Sequence, residues 1–109
     1  MGIGDDAALV RPRPGWELAL TTDLFLEGVH FRRDRDAAPV CGRRLATRAL
    51  SDLAAMGAQP LALLVSFAAP ATLPRIWARG LMRGLLAAAA AAGAALIGGD
   101  SSAATTVLL

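Results

Sequence analysis

A chain of 109 residues, 55% hydrophobic and 18% charged, is long enough for one core of ordinary size, too short for two, and far from the composition at which chains stay disordered. Its formal net charge is only +2, and all 11 of its basic residues are arginines, which excludes the phosphate-binding loop that depends on a lysine. Cys41 is the only cysteine, so an internal disulfide and a cysteine-rich zinc site are excluded, and a reduced, cytoplasmic setting is expected.

The first residues lack the basic and apolar regions of a secretory leader. The uncharged Ala/Gly stretch at 84–99 falls short of the ~20 strongly apolar residues that a bilayer span requires. A soluble protein with no membrane partner is expected.

In chain order, the sequence opens on a Gly-Ile-Gly-Asp-Asp loop. The apolar-biased runs 7–10 and 17–22, separated by Arg-Pro-Arg-Pro-Gly, predict the two strands of a hairpin. A third strand is expected over 24–31, followed by the charged loop 32–36. Between 40 and 56, Leu45, Ala46, Ala49, Leu50, Leu53 and Ala54 recur at helical spacing and predict a helix that Gly57 ends. The run 61–69, with Pro60 and Pro70 beside it, predicts a strand buried on both faces.

Thr72 is placed to cap a second helix over 73–92, with Ile76, Trp77, Leu81 and Leu85 on one side and Arg75, Arg79 and Arg83 on the solvent side, ended by Gly93. A short strand at 94–97, a glycine-acid-hydroxyl loop at 98–102 and an apolar strand from 105 complete the chain. Trp16 and Trp77 are expected to be packing groups and Cys41 a helix residue without redox work. These elements predict an α/β (α+β) domain, a mixed sheet of about four strands covered on one face by two helices. Because the chain stops inside an apolar strand and no element precedes its first acidic loop, residues 1–109 are expected to be the amino-terminal domain of a longer protein.

The acidic residues divide in two. Asp34 and Asp36 alternate with Arg32, Arg33 and Arg35 as a solvated surface run, and Glu17 sits at a turn. Asp5, Asp6, Asp23, Asp52 and Asp100 lie instead beside glycine, serine or threonine at the ends of apolar elements, where a backbone can approach a ligand closely. Carboxylates with hydroxyls beside them and no thiolate suit a hard cation, magnesium above all, which is commonly shared with substrate phosphates. Taken one at a time these signals are weak: Gly-Ile-Gly-Asp-Asp reads equally as an acidic turn, Thr-Thr-Asp as a capped strand end, and Asp52 as the surface partner of Arg48 one helical turn before it.

The set is more specific than its members. Gly-Ile-Gly-Asp-Asp-Ala-Ala (2–8), Thr-Thr-Asp (21–23), Glu-Gly-Val-His-Phe (27–31), Leu-Ser-Asp-Leu-Ala-Ala-Met-Gly-Ala-Gln-Pro (50–60) and Ile-Gly-Gly-Asp-Ser-Ser (97–102) together resemble the thiamine-monophosphate kinases, members of the aminoimidazole ribonucleotide synthetase-like superfamily. The resemblance implies a homodimeric enzyme that moves the γ phosphate of ATP onto thiamine monophosphate. It implies a cluster of Mg2+ ions held by Asp6, Asp23, Asp52 and Asp100 with oxygens of Thr21 and Thr22, thiamine phosphate touched by His30, and nucleotide against Gly99 and Asp100. Read without it, a lone histidine such as His30, between Val29 and Phe31 in a strand, is more often structural than functional.

On that reading the aspartates are metal ligands and no general base is needed, since a phosphate monoester loses its second proton near ~6 and the barrier is chiefly repulsion between anions. Relatives of this kind carry a second domain that supplies further ligands, so this fragment alone is expected to be inactive. Two other readings stand beside it: a different acceptor within the same superfamily, and a non-catalytic dimerisation module. Nucleic-acid binding through Arg32, Arg33, Arg35, Arg43, Arg44 and Arg48 is disfavoured by the interleaved acids and the lack of a stacking aromatic among them.

Overall fold

A computed structural model describes residues 7–109, so the expectations for Asp5 and Asp6 lie outside the described residues. Four elements follow in the order α1 (Ala38–Ala55), β1 (Ala62–Ala69), α2 (Arg75–Ala91) and β2 (Ala95–Ala103). Strand β1, helix α2 and strand β2 form a parallel β-α-β unit, and α1 packs along α2.

Both helices end as the glycines predict. Gly57 takes φ +66 and Gly93 φ +77, conformations that a side chain disfavours. After α1 the Gly57 amide donates to the Ala54 carbonyl and that of Ala58 to Leu53; after α2 Gly93 donates to Ala90 and Ala94 to Ala89. This paired pattern satisfies carbonyls that the helix itself leaves open. The starts differ from expectation. Helix α2 begins after Pro74 with no side-chain cap; Thr72, two residues before that position, is not the N-cap.

The helices bury Cys41, Leu45, Ala46, Leu81 and Leu85 against each other and against Phe25, Phe31 and Val107, with Leu63, Val65 and Phe67 of β1 packed beneath. A smaller cluster, Leu50, Ala89 and Ala94, closes the far end. The helices can come this close because glycines stand at the crossing: a Cβ at Gly42 would lie 1.8 Å from the Leu81 carbonyl oxygen, and one at Gly84 2.0 Å from that of Pro39. Trp77 joins this core through a row of stacked rings, with centroids 5.6 Å apart for His30–Phe25, 5.0 Å for Phe25–Phe31 and 5.9 Å for Phe31–Trp77. Trp16 is largely exposed and Ile76 stands in solvent, so neither packs as expected.

The sheet departs from the sequence expectation in three ways. Among the described residues it has two strands, not about four. The runs 7–10 and 17–22 bracket the predicted turn, with Gly15 at φ +81 and the Trp16 amide donating to Arg13 at 3.0 Å, but they do not pair. Leu9, Leu18 and Leu20 are exposed, and a strand pair with no face to bury is marginal in water. Residues 24–31 and 105–109 make isolated bridges rather than strands: Leu108 pairs with Leu26 and with Ala68, both antiparallel, and Glu27 with Phe31, while Phe25 and Leu109 exchange backbone hydrogen bonds.

Second, β1 is covered on one face only. Leu63, Val65 and Phe67 face the core, whereas Leu64 is 67% exposed and Ser66 is exposed with it. Third, β2 does not stop at Ile97. It continues through the predicted loop 98–102 to Ala103, after a register shift that pairs Leu63 with Leu96 and Leu64 with Gly98.

Glu27 ties the chain's last residues to the 26–33 turn, a role its sequence setting did not signal. Its carboxylate accepts from Arg33 Nε, from Thr106 Oγ1 at 3.1 Å and from the Val107 amide at 3.1 Å. Burial pushes this carboxyl up, but the three hydrogen bonds, that of Arg33 foremost, outweigh it and hold the group below its usual 4.5. Since the folded value is the lower one, the clamp stabilises fully above the unfolded value and is lost as pH falls through the folded value. Thermal stability is therefore expected to decline below about pH 4.5. Glu27→Gln, less stable at neutral pH by about 1–3 kcal/mol, should show a shallower decline in melts recorded across that range. Asp34 and Asp36, held low by the Arg32 side chain and the Arg32 amide respectively, account for the slope that remains.

Candidate functional site

The outward side of α1 carries Arg48 and Asp52 one turn apart, and residues 21–23 run alongside it. Thr21 Oγ1 donates to Asp52 Oδ2 at 2.9 Å, across 31 residues of sequence. Arg48 Nε lies 3.0 Å from Asp23 Oδ1, the two side chains being 46% and 17% exposed. The sequence alternative that paired Arg48 with Asp52 is thus not realised: Arg48 reaches across to Asp23, which leaves Asp52 to a neutral hydroxyl. Thr22 is exposed between these contacts. Thr21, Asp23 and Asp52, predicted from two separate motifs, are brought together here.

Asp100 sits apart on β2, paired in register with Ser66, while Gly99 pairs with Val65. A Cβ at Gly99 would lie 1.9 Å from the Val65 carbonyl oxygen, so this glycine is required for the two strands to approach. Gly98, Gly99, Asp100 and Ser101 line an open cleft of about 340 Å³ with Val65, Phe67, Met82 and Leu96. The lining is mostly apolar, with one carboxylate and one hydroxyl, which suits an apolar group with a cationic, metal-bound or hydrogen-bond-donating tail.

Among the described residues no three His, Cys, Asp or Glu side chains converge as a metal cage, so Asp23, Asp52 and Asp100 do not form one compact group. In chemistry the donors do suit magnesium: carboxylate and hydroxyl oxygens, with two carboxylates a helical turn apart in their anchoring. That is the number a magnesium ion shared with phosphates commonly takes from protein.

His30 has a structural part to play. Its Nδ1 accepts from the Leu26 amide at 2.9 Å, its own amide donates to the Leu26 carbonyl at 2.8 Å, and its ring stacks on Phe25. With Nδ1 the acceptor, the neutral ring carries its proton on Nε2. The sole cysteine, Cys41, is buried; burial, then the nearby Asp36 carboxylate, push its thiol up, which suits an inert core residue. Arg32, Arg33, Arg35, Arg44 and Arg48 each pair with a carboxylate, which removes much of the positive field that a nucleic acid would need. Among the described residues no helix is long and apolar enough to cross a membrane.

Sequence reasoning missed two features. The Glu27 clamp carries no sequence signal, because two of its three partners, Thr106 and Val107, lie near the far end of the chain. The helix crossing at Gly42 and Gly84 does carry one, in the spacing of Gly80 and Gly84, which lets helix backbones meet.

A family model described as AIR synthase related protein, N-terminal domain, matches residues 4–109. Among curated relatives, the thiamine-monophosphate kinase of Synechococcus elongatus is 38% identical over 82 residues, 75% of this chain and 25% of that protein. That of Escherichia coli is 44% identical over 70 residues, 64% of this chain and 21% of that protein. Of solved structures, thiamine-monophosphate kinase from Stenotrophomonas maltophilia superposes with a TM-score of 0.81 at 38% identity, covering 99% of this chain and 34% of that one. The enzyme from Aquifex aeolicus gives 0.76 at 26% identity, covering 79% and 29%. The chain spans about a quarter of the length of the curated relatives it matches.

Proposed function

This chain belongs to the AIR synthase related protein family, of which it carries the N-terminal domain, and we propose that it forms the metal- and nucleotide-binding part of an ATP-dependent thiamine-monophosphate kinase. The reading rests on the names of the relatives and on one structural observation: the Thr-Thr-Asp and Leu-Ser-Asp segments meet through Thr21–Asp52 and Asp23–Arg48. Two acidic motifs with no local reason to touch are held at one place on the surface of α1.

In this proposal Asp6, Thr21, Thr22, Asp23, Asp52 and Asp100 supply oxygen ligands to Mg2+, Gly99 and Asp100 lie against ATP, and His30 borders the thiamine phosphate. Bound magnesium would neutralise charge on the donor and acceptor phosphates. The chain's own share is positional. Helix α1 is fixed by its core face, so Asp52 is presented from a rigid element, and Thr21 orients its carboxylate. The Gly98–Gly99 backbone would let a ligand approach β2 closely, with Asp100 next along the strand. His30 would act through its turn, which it locks by its bond from Leu26, and through Nε2–H as a donor to an anion. No side chain needs to take a proton, because the acceptor phosphate is already ionised near neutral pH. The longer protein is proposed to be a homodimer and cytoplasmic, and this domain alone to be inactive.

Titration calorimetry with a non-hydrolysable ATP analogue, with and without magnesium, tests this on the 109-residue chain and on a folded Asp23→Ala, Asp52→Ala, Asp100→Ala variant. Magnesium-dependent binding that the variant loses is expected. Binding equal in both proteins, or none by the folded chain, would favour the non-catalytic dimerisation reading.

A further inference from the structure

From the ion pair at Asp23 we infer that Arg48 is a built-in counter-cation, a positioning residue that holds the Asp23 carboxylate and must leave it before a divalent cation can bind there. The inference rests on the magnesium reading above, and it concerns a residue to which that reading gives no part.

Among the described residues, Asp23 is paired with a cation and Asp52 is not. Asp23 Oδ1 takes Arg48 Nε at 3.0 Å, whereas Asp52 Oδ2 takes a neutral hydroxyl at 2.9 Å. A hydroxyl and a metal can share a carboxylate without repulsion. A guanidinium and a divalent cation on the same carboxylate repel each other. The Asp23 side chain is the more enclosed, at 17% exposed, and the Arg48 side chain the freer, at 46%. The aspartate therefore stays in place while the long arginine can swing into solvent. In the metal-free chain the pair keeps Asp23 oriented toward α1, so the ligand geometry is partly set before any metal arrives. The same contact sets a threshold, because each binding event must break it.

Magnitude limits the effect. An exposed or half-exposed pair of this kind contributes at most about 1 kcal/mol, so removing Arg48 should tighten divalent-cation binding by about two- to fivefold rather than by orders of magnitude.

The test is direct binding of Mn2+, followed by electron paramagnetic resonance, to the 109-residue chain and to its Arg48→Met, Arg48→Lys and Asp23→Asn variants, each checked for folding by its thermal melt. Arg48→Met should bind about two- to fivefold more tightly than the unaltered chain, Arg48→Lys should return the affinity to near the starting value, and Asp23→Asn should lose binding. In nitrogen-edited NMR spectra the Arg48 Nε signal should move as Mg2+ is added. Binding by the unaltered chain that Arg48→Met leaves equal or makes weaker would overturn the role of Arg48 while the magnesium reading stands. No binding by the chain or by Arg48→Met, or binding indifferent to Asp23→Asn, would overturn both.

Discussion

Gly84→Ala is expected to cost this chain about 3 kcal/mol or more, and Gly42→Ala about as much, although alanine is the better helix former by about 1 kcal/mol. The reason is what the added methyl meets. At Gly84 it would lie 2.0 Å from the Pro39 carbonyl oxygen and 2.7 Å from its carbon; at Gly42 it would lie 1.8 Å from the Leu81 oxygen and 2.7 Å from the Leu85 nitrogen. All of these are backbone atoms, which cannot rotate out of the way. The helices would have to part, and parting uncovers Leu45, Ala46, Leu81 and Leu85, which the crossing now buries. Gly80 is the internal control, because its methyl would meet the Ala38 Cβ at 3.1 Å, a contact that a small shift relieves. Gly80→Ala should therefore change stability by less than about 1 kcal/mol. Urea unfolding of the three variants checks the ranking; a Gly84→Ala protein as stable as the parent would mean that the helices are not in backbone contact.

This crossing also shows which parts of the structure were legible in the sequence. Helix α1 and helix α2 were, with their ends, because periodicity fixes a buried face and Gly57 and Gly93 supply the left-handed residue that closes each helix. Strand β1 was placed within a residue, but its double burial was misjudged: an apolar run such as Leu63-Leu64-Val65 does not say whether its second face finds a cover. The strands expected at 7–10 and 17–22 fail for the same reason, since alternation describes a face and pairing needs a neighbour. The Gly-Gly-Asp-Ser-Ser segment misled in the other direction. Two adjacent glycines read as a loop, yet here they let β2 continue against β1, Gly99 fitting where a Cβ would strike Val65.

Of the site, residue types and motif order were legible; that the Thr-Thr-Asp and Leu-Ser-Asp segments share a site followed only from the family resemblance, and that Arg48 would join them through Asp23 did not follow at all. Nothing local to Thr21 or Asp23 points to α1, and the nearer partner of Arg48 by helical spacing was Asp52. The long reach of the arginine and the course of residues 21–23 alongside α1 decide otherwise. What the sequence could state was the chemistry of the donors, hard oxygens without thiolates, and that much constrains the ion whichever partners the side chains take in the free chain.

Asp52→Asn is expected to separate binding from folding more cleanly than any other change at the site. The side chain is exposed, its one side-chain hydrogen bond among the described residues comes from the Thr21 hydroxyl, and an amide oxygen accepts that hydrogen bond as well as a carboxylate oxygen does in shape. Stability should stay within about 0.5 kcal/mol of the parent. On the proposed function, the substitution removes a negative charge that the magnesium ion would use and offers a neutral oxygen in its place. Nucleotide affinity in the presence of magnesium should fall about 30- to 100-fold, equivalent to about 2–3 kcal/mol, and the remaining binding should no longer respond to a chelator. Asp23→Asn is predicted to lose binding too, but there Arg48 also loses its charged partner, so a modest stability change of up to about 1 kcal/mol accompanies it. Calorimetric titration and thermal melts on the same samples decide the matter. If Asp52→Asn lost affinity and stability together, Asp52 would be a structural residue of α1 and the metal would have to be held elsewhere; an unchanged affinity would remove Asp52 from the ligand set altogether.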